Sequence, residues 1–132
     1  HVGTPILGGP YRGRGEEVFA DWRARIIRLG ERPNIYIKLG ALPIRMPGFE
    51  GDRGLPPSSE EVAAAWKPWI ETCIEAFGPS RSMFESNFPV QKRWCSYQVC
   101  WNAFKRLAGG ASPSEKQELF AGAAATAYNM QL

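Results

Sequence analysis

The chain has 132 residues, 44% of them hydrophobic and 22% charged, with a formal net charge of +3, the proportions of an ordinary globular protein rather than a disordered one. So small a charge, with Lys and Arg interleaved among Asp and Glu, argues against a nucleic-acid or anionic-membrane partner. No apolar run nears the roughly 18 residues that cross a bilayer and no cleavable leader is apparent, so the sequence reads as a cytoplasmic protein about one domain in length.

Residues 1–15 are rich in Gly and Pro and suit a loop. Val18, Trp22, Ile26 and Leu29 then recur at helical spacing, with Glu16 and Glu17 in the first turn and Gly30 as a stop, which predicts a helix over 16–29. Residues 35–40 (IYIKLG) are β-branched and aromatic and read as a strand, with Ile35, Ile37 and Leu39 on one face and Tyr36, Lys38 and Gly40 on the other. Residues 41–57 hold four prolines and three glycines, a composition no regular element accepts, and a loop this long implies a functional lid or an insert.

Ser58 with Glu61 three residues on is a capping box that opens a long helix. Its apolar stripe is Val62, Trp66, Trp69, Ile70, Cys73, Ile74 and Phe77, with a kink expected at Pro68 and a stop at Gly78-Pro79. A short strand over 82–88 follows, on which alternation places Met83, Glu85 and Asn87 together on one face. Carboxyl ends of strands are where α/β proteins keep their sites, so Glu85 and Asn87 are the first candidates for chemistry. Val99, Cys100, Ala103, Phe104 and Leu107 mark a third helix that stops at Gly109-Gly110. A second capping box, Ser112 with Glu115, opens a last helix with Leu119, Phe120, Ala123, Ala127 and Tyr128 inward.

Strands alternating with helices imply parallel pairing through helical crossovers. Two strands alone leave both edges of a parallel sheet open, so part of the sheet is expected to be encoded elsewhere. Cys73, Cys95 and Cys100 are odd in number and fit neither a CxxC pair nor a zinc finger, so all three read as reduced packing residues.

The series His1-Val2-Gly3-x-Pro5, Trp22, 33–40 (PNIYIKLG), 77–89 (FGPSRSMFESNFP) and Tyr128 resembles the carboxyl-terminal half of the amidohydrolase-related TIM-barrel hydrolases, the group of the L-fuconolactonase and 2-pyrone-4,6-dicarboxylate lactonase relatives. The resemblance implies that 1–132 are one portion of a (β/α)8 barrel, running from the end of the sixth strand through the seventh and eighth, with 41–57 as an active-site lid. It also implies a missing amino-terminal half, including a His-x-His pair, as the chain's partner, and a small-molecule substrate. Such a piece is expected to be poorly stable and inactive by itself; the intact protein can be a homo-oligomer.

By this resemblance His1, the single histidine, sits at a strand end where it polarises a carbonyl or holds a divalent metal, zinc being the natural candidate. Asn87 occupies the place of an aspartate that serves the family as general base or metal ligand. An amide cannot take a proton from water, so Asn87 can only orient water or hydrogen-bond substrate. Glu85 can supply the missing carboxylate or can be paired with Lys38; Lys38 in turn can bind a substrate anion or merely neutralise Glu85. Arg45 and Arg53 in the lid can clamp an acidic substrate or be solvated, and Trp94 can wall a pocket, whereas Trp66 and Trp69 belong to the core. The activity implied is hydrolysis of a lactone or cyclic ester of a small sugar-derived or carboxylated acid. Decarboxylation on the same barrel and a non-catalytic fragment or interaction module are the alternatives.

Overall fold

The computed structural model describes residues 1–42 and 56–131. The lid and its arginines, Arg45 and Arg53, fall outside the described residues except at the ends of the segment. In chain order the elements are helix α1 (Gly15–Gly30), strand β1 (Ile37–Leu39), helix α2 (Ser59–Phe77), strand β2 (Ser82–Phe84), helix α3 (Tyr97–Leu107), helix α4 (Pro113–Gln117), a π turn (Glu118–Gly122) and helix α5 (Ala123–Tyr128). The strands pair in parallel, with Ile37 opposite Ser82, Lys38 opposite Met83 and Leu39 opposite Phe84.

Both expected capping boxes form: Ser58 accepts from the Glu61 N–H and Ser112 from the Glu115 N–H, and each glutamate returns a bond to its cap residue's N–H. These bonds satisfy amides that the first helical turn leaves without partners. α2 runs through Pro68 as one element, and the Pro68 carbonyl accepts from the Thr72 hydroxyl at 2.8 Å. Gly78, at φ 75°, closes α2, a conformation that favours glycine.

α2 is the centre of the core. It packs between α1 and α3 and buries Val62, Trp66, Trp69, Ile70, Cys73 and Phe77. Trp69 meets Phe19 edge-on at 4.8 Å and Trp22 at 4.6 Å, while Phe104 of α3 lies 5.6 Å from Trp66 and stacks on Phe84 of β2 at 4.6 Å. Aromatic pairs at such spacings add to the burial itself.

Two expected faces differ. In α1 the buried line is Trp22, Ile26 and Gly30, while Leu29 is 42% exposed. A Cβ at Gly30 would strike the main chain of Ala76, so the helices touch backbone to backbone there. Leu29, about 100° around the helix from Gly30, is turned aside. In the last helical stretch Ala125 is buried, whereas Ala127 and Tyr128 are exposed. The π turn inserts residues into the helix and shifts the face that follows it, so 3.6-residue spacing counted from Leu119 selects the wrong positions. No helix of the described residues is long and apolar enough to cross a membrane.

At the amino-terminal end of the sheet, Arg81 donates to the carbonyls of Arg32 at 2.7 Å, Gly30 at 2.9 Å and Ile35 at 3.3 Å, and its guanidinium lies 5.4 Å from the centre of the Phe77 ring. One side chain thereby ties the end of α1, the start of β1 and the end of α2 to β2. A charged planar fork suits several carbonyls at once, which a lysine cannot match.

Candidate active site at the carboxyl ends of the strands

β1 and β2 end side by side, and the ladder's last contact runs from the Glu85 N–H to the Leu39 carbonyl at 3.4 Å. Continuing the register puts Gly40 beside Glu85. A Cβ at Gly40 would collide with the Glu85 carbonyl and lie 2.9 Å from its carboxylate Oε1. The side chain of Glu85 therefore folds over the bare backbone of Gly40. Both its oxygens are engaged: Oε1 lies 2.5 Å from Nδ1 of His1, and Oε2 accepts the Asn87 N–H at 2.7 Å.

His1 is carried on a fixed segment. Val2 next to it is fully buried, and its carbonyl accepts from the Trp22 indole at 2.7 Å, so α1 holds the extended segment on which His1 sits. The His1 side chain is 39% exposed and that of Glu85 17%. An ionised carboxylate can only accept, so Nδ1 of His1 carries the proton and a neutral ring presents Nε2 with a free lone pair. A proton acceptor or a metal ligand is what that nitrogen can be. A hydrogen-bond donor to a carbonyl requires the imidazolium instead.

Strain gathers on this side of the molecule. Thr4, Ala41 and Asn87 have φ of 46°, 58° and 51°, the left-handed region that residues with a Cβ adopt at a cost. Each follows closely on one of the chain segments that meet at the His1–Glu85 pair. Clustering of such conformations is a feature of functional sites.

The structure places the remaining candidates as follows. Glu85 is paired with His1, not with Lys38. Glu85 and Asn87 do not alternate on a common strand face, because β2 ends at Phe84 and Asn87 is left-handed; the Asn87 N–H, not its side chain, meets Glu85. The half-buried Asn87 amide group has no hydrogen bond among the described residues. Lys38, also half-buried, has no ion pair among the described residues. Lys38 stands opposite Met83 in the ladder, two residues before Glu85. Trp94, 36% exposed, ends the short 3-10 turn Val90–Arg93 beyond Asn87. Arg45 lies outside the described residues.

Three contributors escape sequence reading. Gly40 makes room for Glu85, and a strand that ends in glycine beside a carboxylate was the available signal. Trp22 fixes Val2 over a separation that no local pattern reveals. Gln91, 2% exposed, donates its side-chain amide to the Leu42 carbonyl at 3.2 Å and its main-chain N–H to the Asn87 carbonyl at 2.9 Å. It joins the exits of β1 and β2, and nothing in its sequence setting announces this.

The pattern of the Amidohydrolase family matches residues 1–130. This chain belongs to that family. It is 38% identical over 116 residues to an uncharacterized protein, y4mH, of Sinorhizobium fredii, covering 88% of this chain and 35% of that protein. It is 30% identical over 129 residues to an L-fucono-1,5-lactonase of Burkholderia multivorans, covering 97% of this chain and 41% of the lactonase. The fold is similar to that of an amidohydrolase from Burkholderia multivorans solved with bound HEPES, with a TM-score of 0.80, 29% identity, and coverage of 99% of this chain and 43% of that one. A second crystal form of that protein, with bound zinc, gives a TM-score of 0.78 at 28% identity over the same shares. The chain thus spans less than half the length of the relatives it matches. The family is one of TIM barrels, and the α/β arrangement with a parallel strand pair is that of part of a barrel.

No group of three or more His, Cys, Asp and Glu side chains suited to a metal forms among the described residues. His1 Nε2 is the one ligand atom that the pair leaves open. The described residues therefore do not make a zinc site by themselves; the other ligands would have to come from the rest of the polypeptide.

Proposed function

We propose that the intact protein is a hydrolase that opens a lactone or cyclic ester of a small carboxylated or sugar-derived acid, and that this chain is the carboxyl-terminal portion of its barrel. The segment at His1 would be the end of the sixth strand, and β1 and β2 the seventh and eighth. The partner it requires is the amino-terminal half, which would close the open edges of the two-stranded sheet; a homo-oligomer of the complete protein is compatible with this reading.

The His1–Glu85 contact of 2.5 Å carries the reading. Glu85 accepts Nδ1–H and holds the ring, so Nε2 takes a proton from the water that attacks the ester carbonyl. The carbonyl carbon gains the water oxygen, the ring C–O bond breaks, and the alkoxide leaves with a proton to give a hydroxy acid. Asn87, with its amide uncommitted, orients that water or the substrate, and Lys38 binds a carboxylate of the substrate. Glu85 is thus a positioning group, and Trp94 a wall of the pocket. Arg45 would act from the lid.

The test is hydrolysis of neutral sugar lactones and of carboxylated lactones by the intact polypeptide, followed by acid release. Hydrolysis that His1→Ala reduces by about 100-fold or more is expected. Absence of hydrolysis across both classes, or release of carbon dioxide instead of an acid, would overturn the reading in favour of a non-catalytic module or a decarboxylase. Lys38→Ala is expected to raise KM for the carboxylated lactones and leave neutral ones unchanged.

A further inference from the structure

Where the strand ladder stops, a side chain takes over. The last ladder contact runs from the Glu85 N–H to the Leu39 carbonyl at 3.4 Å, and beyond it β1 and β2 lead into separate loops. Gln91 lies in the turn after β2, 2% exposed, and donates its side-chain amide at 3.2 Å to the carbonyl of Leu42, which is itself fully buried after β1. The main chain of Gln91 is committed as well. Its N–H donates to the Asn87 carbonyl at 2.9 Å, and its carbonyl accepts from the N–H groups of Trp94 at 2.9 Å and Cys95 at 3.2 Å. Both places that Gln91 holds adjoin strained backbone: Leu42 follows Ala41, at φ 58°, and the bonded carbonyl is that of Asn87, at φ 51°. Residues with a Cβ persist in that region only where surrounding contacts over-determine them.

We propose that Gln91 is a positioning residue for the reaction: by tying the exit of β1 to the loop after β2 it fixes the backbone of Asn87, and with it the amide that orients water or substrate. The inference rests on the lactone-opening reading and adds to it a residue that acts only through Asn87. Asn87 is held on both sides, its N–H by the Glu85 carboxylate at 2.7 Å and its carbonyl by Gln91. The Glu85 bond ties Asn87 to the same strand exit from which it departs. Gln91 alone among its printed partners carries a bond to the other strand's exit, at Leu42. A buried donor and a buried acceptor that lose each other are costly to leave unpaired, so the tie holds the two exits at one separation. Without it Asn87 keeps its amide but not its place, which slows the chemical step more than it weakens binding.

The experiment is a double-mutant cycle in the intact polypeptide, with neutral sugar lactones and carboxylated lactones as probes. Gln91→Met keeps the length of the side chain and removes its donor; Asn87→Gly removes the amide and suits a left-handed backbone. Gln91→Met is expected to lower kcat about tenfold with KM changed less than about twofold. In the Asn87→Gly background the same change should cost no more than about twofold, because residues that act through one another are not additive. A second readout needs no substrate. Amide hydrogen exchange at positions 87 and 91 should quicken by about tenfold in Gln91→Met, and by more than at Trp69 and Ile70 in the middle of α2. Gln91→Asn, too short to reach Leu42, serves in the same way if Gln91→Met does not fold. Equal losses of kcat in both backgrounds, or exchange that quickens no more at 87 and 91 than in α2, would overturn the proposal by making Gln91 a general stabiliser. If the wild type opens neither class of lactone, the reading of the reaction fails, and the exchange rates still decide whether Gln91 fixes Asn87.

Discussion

The two ends of the strand pair are built on opposite plans. At the amino-terminal end Arg81 gives its donors to three main-chain carbonyls and rests on Phe77. At the carboxyl-terminal end a histidine and a glutamate converge, partly open to solvent, beside three residues with left-handed backbones. The first arrangement satisfies polar groups and holds elements together. The second accepts strain and, among the described residues, leaves an imidazole nitrogen and an amide uncommitted. In barrels of parallel strands the chemistry belongs to the carboxyl ends and stability to the other face; under the proposed function this chain would follow that division with two strands.

The division can be tested from both sides. The largest effect is expected from Glu85→Gln or His1→Ala in the intact protein, with kcat falling about 100-fold or more while the urea midpoint moves little. Arg81→Ala should do the reverse. It takes the charged donor from the Gly30 and Ile35 carbonyls, while the Arg32 carbonyl keeps the Ile35 N–H at 3.3 Å, so the urea unfolding free energy should fall by about 2–3 kcal/mol with activity per folded molecule preserved. Gly40→Ala reaches across the division, because its Cβ would displace Glu85. An activity loss of about tenfold with KM nearly unchanged is expected, since misplaced catalytic groups cost rate before binding. The smallest change is expected from Ala41→Gly, which relieves a left-handed alanine and should stabilise by about 0.5 kcal/mol after glycine's greater unfolded-state freedom is subtracted. If Arg81→Ala abolished activity without destabilising, or Glu85→Gln unfolded the protein, the contrast between the ends would fail.

Much of the fold was open to reading residue by residue. The capping boxes at Ser58 and Ser112, the tryptophans of α2 and the glycines that close the helices are short-range signals, set by bonds within a turn or two. The period-two pattern located both strands but overran each, β1 being Ile37–Leu39 where 35–40 was expected and β2 ending at Phe84, because alternation holds only while the backbone stays extended and paired, and Asn87 leaves that region. The π turn likewise defeated the helical count after Leu119. Glu85 and Asn87 were brought together by strand alternation, which does not hold past Phe84, and His1 was brought to them through the family resemblance; their connections were not anticipated. Glu85 paired with Lys38 and Glu85 as a free carboxylate were both reasonable, and the observed partner is His1.

The sequence by itself determined where helices begin and end, which strands exist, that they run parallel and that two strands are too few to close a sheet, because these follow from local hydrogen bonding and side-chain periodicity. Only the tertiary structure decided that His1 meets Glu85 across a separation of 84 residues, that Gly40 clears the space for it, and that Trp22 and Gln91 fix the segments involved. Contacts of that range depend on how helices and strands pack, and packing is a property of surfaces brought together by the whole chain rather than of any stretch within it.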